Sequence, residues 1–518
     1  MLVKIHTAAI NALTAQDVTL EIDKTKQMRR EREPMVFMVG LPDNAVREST
    51  TRVLSALSNS RFQPPKNQII ANFAPADVRK EGTAYDLPLA IGLLAVEKMV
   101  DIHALEHTML VGELGLDGSI RPVKGALLIS IMARAKGYET LIVPSDNVRE
   151  AAVVNNLKVI GASHLKDVVD HLNGHGTLQP TSVNTREEFY AAQSDFPLDM
   201  ADVKGQENVK RALEVAAAGG HNLMLIGSPG CGKSMMAKRL PGILPQLTLS
   251  ESLETTQIHS VAGKLSRETS LITQRPFRSP HHTISDTALI GGGVSLQPGE
   301  ISLAHNGILF LDELPEFSRT ALETMRQPLE DREITISRTK YSATLPCSFM
   351  LVASMNPCPC GYYNHPTKQC VCTPGQIHRY MGKISGPLLD RIDIQVEVTP
   401  VPLQDLSSAP KGESSASIRE RVVRARDVQT ERFKEEKGVH CNAQMSARLI
   451  EKYARPDEAG SQLLARAMKN LNLSARAYER ILKVARTIAD LESAPQISAH
   501  HIGEAVGYRN LDRASWGE

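Results

Sequence analysis

A glycine-rich turn set directly behind an apolar strand constrains this chain more than any other feature. The octet Gly227-Ser228-Pro229-Gly230-Cys231-Gly232-Lys233-Ser234 fits the pattern G-x-x-x-x-G-K-[ST] and follows the run Leu223-Met224-Leu225-Ile226. In that order a strand delivers the chain to a loop whose backbone N–H groups close around phosphates, and the glycines permit the close approach. Lys233 is then placed to reach the β- and γ-phosphates of ATP, and the Ser234 hydroxyl to ligate Mg²⁺ at the start of the next helix.

With 518 residues the chain exceeds what one core accommodates, so two or three domains are expected. Its net charge of +1 means that any nucleic acid must be held by a local basic patch, not by global attraction. No apolar run approaches the ~20 residues that span a bilayer, and no basic start leads into a signal core. The expectation is a soluble, cytoplasmic protein without membrane partners. Residues 1–172 mix strand patterns (35–39, 109–111, 140–143) with a helical one (126–135), while 173–198 lose periodicity and read as a linker. Residues 199–402 alternate apolar strands with amphipathic helices, which predicts an α/β core with a parallel sheet; 403–518 carry helical spacing alone.

Beyond the phosphate loop, the apolar strand Gly307-Ile308-Leu309-Phe310-Leu311 ends in Asp312-Glu313. Asp312 suits an Mg²⁺ held through water, and Glu313 suits the general base that polarises the attacking water. A second strand, Phe349 to Ala353, runs into Ser354-Met355-Asn356-Pro357, so Asn356 falls at a carboxyl end, where open α/β sheets place ligand contacts. It reads as a residue that orients water. In Gly386-Pro387-Leu388-Leu389-Asp390-Arg391-Ile392-Asp393 an arginine stands between two aspartates; it is either a salt-bridged arginine or a finger for a neighbour's nucleotide. Arg476, in Leu473-Ser474-Ala475-Arg476-Ala477-Tyr478, is either a solvated helical arginine or a second contact to the γ-phosphate.

Taken in this order, these motifs resemble an AAA+ ATPase with a helical lid. The segments Arg275-Pro276-Phe277-Arg278-Ser279-Pro280-His281-His282, Gly291-Gly292-Gly293 and Pro298 to Gly307 resemble its magnesium-chelatase-like branch, and nearly the whole chain is similar to the YifB/ComM family. That resemblance implies a ring, expected to be a hexamer, with Arg391 acting in trans and Arg476 in cis. It further implies an ATP-driven DNA motor that promotes branch migration as incoming single strands are integrated in natural transformation. A chelatase motor subunit and a protein-remodelling ATPase share the same core chemistry and are the alternatives.

Residues Glu333 to Leu345 alternate in strand fashion around Thr339-Lys340, a β-hairpin pattern. Related AAA+ helicases carry a hairpin into the ring pore at this point, which makes Arg338 and Lys340 the candidate DNA phosphate contacts, against an ordinary solvated tip. Four of the seven cysteines, Cys358, Cys360, Cys370 and Cys372, gather on one short loop and suit a closed tetrahedral site for structural Zn²⁺; redox pairing is the rival reading, disfavoured in a reducing cytoplasm. Cys231, Cys347 and Cys441 read as packing residues, and His281 and His282 receive no role. In the first domain, Arg79 to Pro88 and Gly118 to Gly125 are similar to the two active-site segments of the Lon protease domain. Ala84 stands where such enzymes present a serine and Leu127 where they place a lysine, with Lys124 displaced by three residues; the expected role is a proteolytically inactive scaffold.

Overall fold

A computed structural model describes residues 2–28, 35–176, 178–191, 193, 196–293, 296–338, 341–401 and 412–509. They fall into two compact units: Met1–Gln193 with Thr248–Thr273 and Gly292–Pro298, and Ser194–Leu247 with Gln274–Gly291 and Gly299–Glu518.

The first unit is built on an eight-stranded mixed sheet. Its strands are β1 (Leu2–Asn11), β2 (Thr14–Met28), β3 (Val36–Val39), β4 (Asn67–Ala74), β5 (Thr108–Leu110), β6 (Thr140–Pro144), β7 (Lys158–Ala162) and β8 (Pro180–Thr181), in the order β8-β7-β6-β5-β1-β2-β4-β3. β1 and β2 form an antiparallel hairpin in register from Leu2↔Asp23 to Asn11↔Thr14, while β1, β5, β6 and β7 run parallel. The helix Asp86–Val96 is buried along its whole length, as its sequence DLPLAIGLLAV demands, and packs on β1 and β2. Its first residue, Asp86, is a fully buried carboxylate. Arg52 answers it with two hydrogen bonds of 2.9 and 3.0 Å, and the Leu114 N–H adds a third at 3.2 Å.

Two sequence expectations need correction here. The stretch expected as a linker, 173–198, contributes β8, which pairs antiparallel with β7, and the helix Thr185–Ala191, whose Phe189 is buried. Glu188 of that helix takes two hydrogen bonds of 2.9 Å from Arg149, so the helix Thr185–Ala191 is tied to the first unit. Second, the helix Leu249–Val261, expected within the ATPase core of 199–402, belongs to the first unit. It packs on the helix Ala126–Lys136; the Gly125 N–H donates to Ser260 O at 3.1 Å, and the Ser260 hydroxyl donates to the buried Glu150 carboxylate. Glu150 also accepts from the Leu127 N–H at 3.0 Å and from Asn147 at 3.2 Å.

The second unit holds a five-stranded parallel sheet of β9 (Leu223–Gly227), β10 (Phe277–Arg278), β11 (Ile308–Leu311), β14 (Met350–Met355) and β15 (Ile394–Val398). The order is β10-β11-β14-β9-β15, with the antiparallel hairpin β12 (Glu333–Arg338) and β13 (Tyr341–Pro346) outside it. β9, β11 and β14 are buried at every position, which explains their unbroken apolar runs. The C-terminal helices join this unit instead of standing apart. Ser415–Arg432 and Ala475–Leu491 pack on Glu207–Gly219, and Ile481, Val484 and Ile488 share one core with Leu223 and Leu225.

Arg52→Ala should strand the Asp86 carboxylate without its partner. A loss of about 3 kcal/mol of stability is expected, read by urea denaturation of the full chain.

Candidate nucleotide site

The crossover from β9 to distant β10 puts the carboxyl ends of β9, β14 and β11 side by side, and every residue of the nucleotide constellation on these strands lies there. Gly227 closes β9 where a Cβ would come within 2.3 Å of Val398 O, so no larger residue fits. Gly230 and Gly232 take φ of +80° and +96°, left-handed values that shape the loop. Lys233 begins the next helix, Lys233–Ala237. Its ammonium folds back over the loop and donates to Gly227 O at 2.6 Å, Ser228 O at 3.1 Å and Asn356 Oδ1 at 3.1 Å. Burial lowers its pKa, opposed by the neighbouring Cys231, Asp312 and Glu313.

Ser234 and Asp312, the two expected Mg²⁺ ligands, are in direct contact: the hydroxyl donates to Asp312 Oδ2 at 2.7 Å. The other carboxylate oxygen accepts from Ser354 Oγ and from the Glu313 N–H at 3.1 Å. Glu313 itself adopts φ 55° and ψ 49°, a left-handed conformation that costs a non-glycine residue energy and is held by these bonds. Its side chain is 57% exposed and lies 3.6 Å from His282 Nδ1.

Lys233, Ser234, Asp312, Glu313 and Asn356 are therefore brought together. The two arginines are not bonded to this group. Arg391 is 7% exposed, its guanidinium donating to Pro387 O and Glu330, while its Nε meets no hydrogen-bond partner among the described residues. Arg476, 63% exposed, rests on Asp390 at 3.2 Å. Two residues after Arg391, Asp393 is buried against His221, at 3.1 Å, and Arg480. Burial opposes its ionisation, yet Arg480 and His221 hold its pKa far below the usual carboxylate range. His221 reaches Thr487 on the lid helix at 2.8 Å. Asn222, next in sequence, bonds both Arg391 O, at 2.8 Å, and the Leu351 N–H of β14, at 2.9 Å.

Arg338 pairs with Tyr341 at the end of the β12–β13 hairpin; its side chain and Lys340 lie outside the described residues. The cysteines converge: Cys358, Cys360 and Cys370 Sγ atoms are 3.3, 3.6 and 3.7 Å apart, and Cys372 completes a group within 4.8 Å. Tetrahedral zinc with bonds of about 2.3 Å needs sulfurs about 3.8 Å apart, so the donor set fits the ion.

Sequence reasoning named His282 without a role and missed Ser354, Glu330 and His221. Ser354 alone had a local signal, because on a strand residues two apart share a face, and it stands two before Asn356. The others meet their partners only through folding.

Strand order, phosphate loop and helical lid define an AAA+-like α/β core. Residues 199–406 match the family magnesium chelatase, subunit ChlI; residues 25–147 match subunit ChlI of Mg-chelatase, and 412–509 its C-terminal family. Across 98% of this chain and 97% of each relative, identity is 44% to YifB of Salmonella typhimurium and 42% to competence protein ComM of Haemophilus influenzae. The chain belongs to the YifB/ComM family of magnesium-chelatase-like proteins. The Lon likeness has thinner support, 28% identity to Lon protease 2 of Bacillus subtilis over 28% of each chain.

Ser354→Ala would leave Asp312 Oδ1 without its hydroxyl donor. The Mg²⁺ concentration that half-saturates nucleotide binding should rise by about tenfold, measured by titration with a fluorescent ATP analogue.

Proposed function

We propose that this chain is an ATP-driven DNA motor, active as a ring expected to be a hexamer, which promotes branch migration when incoming single strands recombine in natural transformation. The observation that carries the ATPase half is the contact set Lys233–Asn356, Ser234–Asp312 and Glu313 at three adjacent strand ends. Support for the DNA half is the near full-length similarity to a protein named for competence.

In this reading the loop N–H groups and Lys233 bind the ATP phosphates, and Ser234 and Asp312 hold Mg²⁺. The ion neutralises charge on the phosphate oxygens when bound. Glu313 takes the proton of the attacking water, which Asn356 orients. Arg391 is the finger toward the neighbouring subunit's nucleotide, so its bond to Glu330 must open as the ring assembles; Arg476 leaves Asp390 for the nucleotide of its own subunit. The hairpin β12–β13, with Arg338 and Lys340 about its tip, grips DNA phosphates, and structural zinc at the four cysteines shapes the neighbouring loop. The Lon-like unit serves as a proteolytically inactive scaffold.

The match to magnesium chelatase subunit ChlI favours one second reading, a chelatase-type or protein-remodelling motor. The two part on DNA. With ATP, the protein should displace a labelled strand from a branched DNA, and Glu313→Gln should bind nucleotide normally while turnover falls at least about 100-fold and displacement stops. ATPase activity indifferent to DNA, with no displacement, would remove the DNA reading and leave the second. Arg391→Ala should lower turnover by about 10³, and mixing it with Lys233→Ala subunits should recover part of the activity if the arginine works in trans.

A further inference from the structure

We propose that the cysteine knuckle Cys358–Cys372 is a buttress of the phosphate loop, so that metal occupancy at the four thiolates sets nucleotide affinity. This inference rests on the ATP-site reading and adds a control to it. Two contacts tie the knuckle to the loop. Gly361, with φ +81°, lies so close to the loop that a Cβ there would stand 2.5 Å from Cδ and 2.9 Å from Cγ of Pro229. Asn356, which receives the Lys233 ammonium at 3.1 Å, precedes Cys358 by two residues.

The turn between these contacts is the one that the metal would shape. The Gly361 N–H donates to Cys358 O at 3.0 Å, and Cys358 and Cys360 flank the turn with their sulfurs 3.3 Å apart. Four thiolates drawn to one ion fix where Gly361 presses on Pro229; without the ion nothing binds the four together. Cys360 and Cys372 also line a cavity of about 740 Å³ together with Glu313 and Asn356, so a change in the knuckle reaches the catalytic carboxylate's surroundings as well. Structural zinc sites are ordinarily credited with local folding alone. Here the metal-shaped turn meets the residue at the crown of a phosphate loop, with no room for a methyl group between them.

The test uses the full-length protein, with zinc measured by release to a chromogenic chelator and nucleotide affinity by a fluorescent ATP analogue. About one zinc per chain is expected. Stripping it should weaken nucleotide binding by about tenfold, and adding Zn²⁺ should restore it. Gly361→Asn tests the contact without removing the metal, because asparagine tolerates left-handed backbone. It should keep its zinc and bind nucleotide about tenfold more weakly, and Pro229→Ala in the same chain should recover most of the loss by clearing the ring from the added Cβ. Zinc-free preparation with full affinity, or Gly361→Asn with unchanged affinity, overturns the buttress while leaving the ATP site standing. A wild type that holds zinc but binds no nucleotide overturns the ATP-site reading itself.

Discussion

The Asp312 carboxylate is the point on which the second unit's site depends. One oxygen takes the hydroxyl of Ser234 from the phosphate-loop helix, and the other takes Ser354 from the adjacent strand. A carboxylate with charge-assisted bonds on both oxygens fixes three strand ends against one another. It also explains the left-handed backbone of Glu313, whose N–H donates to the same carboxylate. The strain at that residue is held by its N–H bonds to Asp312 and Ser354.

A second polar network, buried beneath the lid, links the remaining elements. His221 and Asn222 lie immediately before β9, and between them they contact Asp393, Thr487, the Arg391 carbonyl and β14. On the lid side Asn442 bonds both Thr487, at 3.1 Å, and Asp490, at 2.8 Å, while Arg432 closes on Asp490 at 2.7 Å. Such a network in a low-dielectric core sets the orientation of the helix that carries Arg476 and of the turn that carries Arg391. The elements that carry Arg391 and Arg476 are thus joined to the strand that ends in the glycine-rich loop.

The first unit shows how a chain segment can leave the domain to which its sequence position assigns it. Thr248–Thr273 lies between the phosphate loop and Asp312, yet it folds with the amino-terminal sheet through Ser260, Glu150 and the helix Ala126–Lys136. Glu150 is a buried carboxylate whose burial raises its pKa, offset by hydrogen bonds from Ser260, Leu127 and Asn147. Position along the chain carries no record of such a docking, since the residues that accept the segment lie about a hundred positions earlier.

What could be read from sequence was whatever is local. The phosphate loop, the apolar strands with their terminal Asp312, Glu313 and Asn356, the hairpin pattern of 333–345 and the cysteine spacing each lie within one short window, where backbone geometry and ligand chemistry dictate residue type. The β1–β2 hairpin escaped because threonine, histidine and aspartate interrupt its alternation, and burial is decided by the helix Asp86–Val96 that covers it. The linker reading failed because polar composition says nothing about a strand that pairs at a sheet edge or a helix held by Arg149. Sequence by itself determined the chemistry on offer: a glycine-rich loop with its lysine, carboxylates and an amide at strand ends, and four thiols. Tertiary structure alone decided which of these meet, that Arg391 is held by Glu330, that His282 approaches Glu313, and that the cysteine knuckle presses on Pro229. The reason is physical: contacts between residues far apart in sequence are set by how buried faces pack, and a local pattern holds no information about the face it will meet.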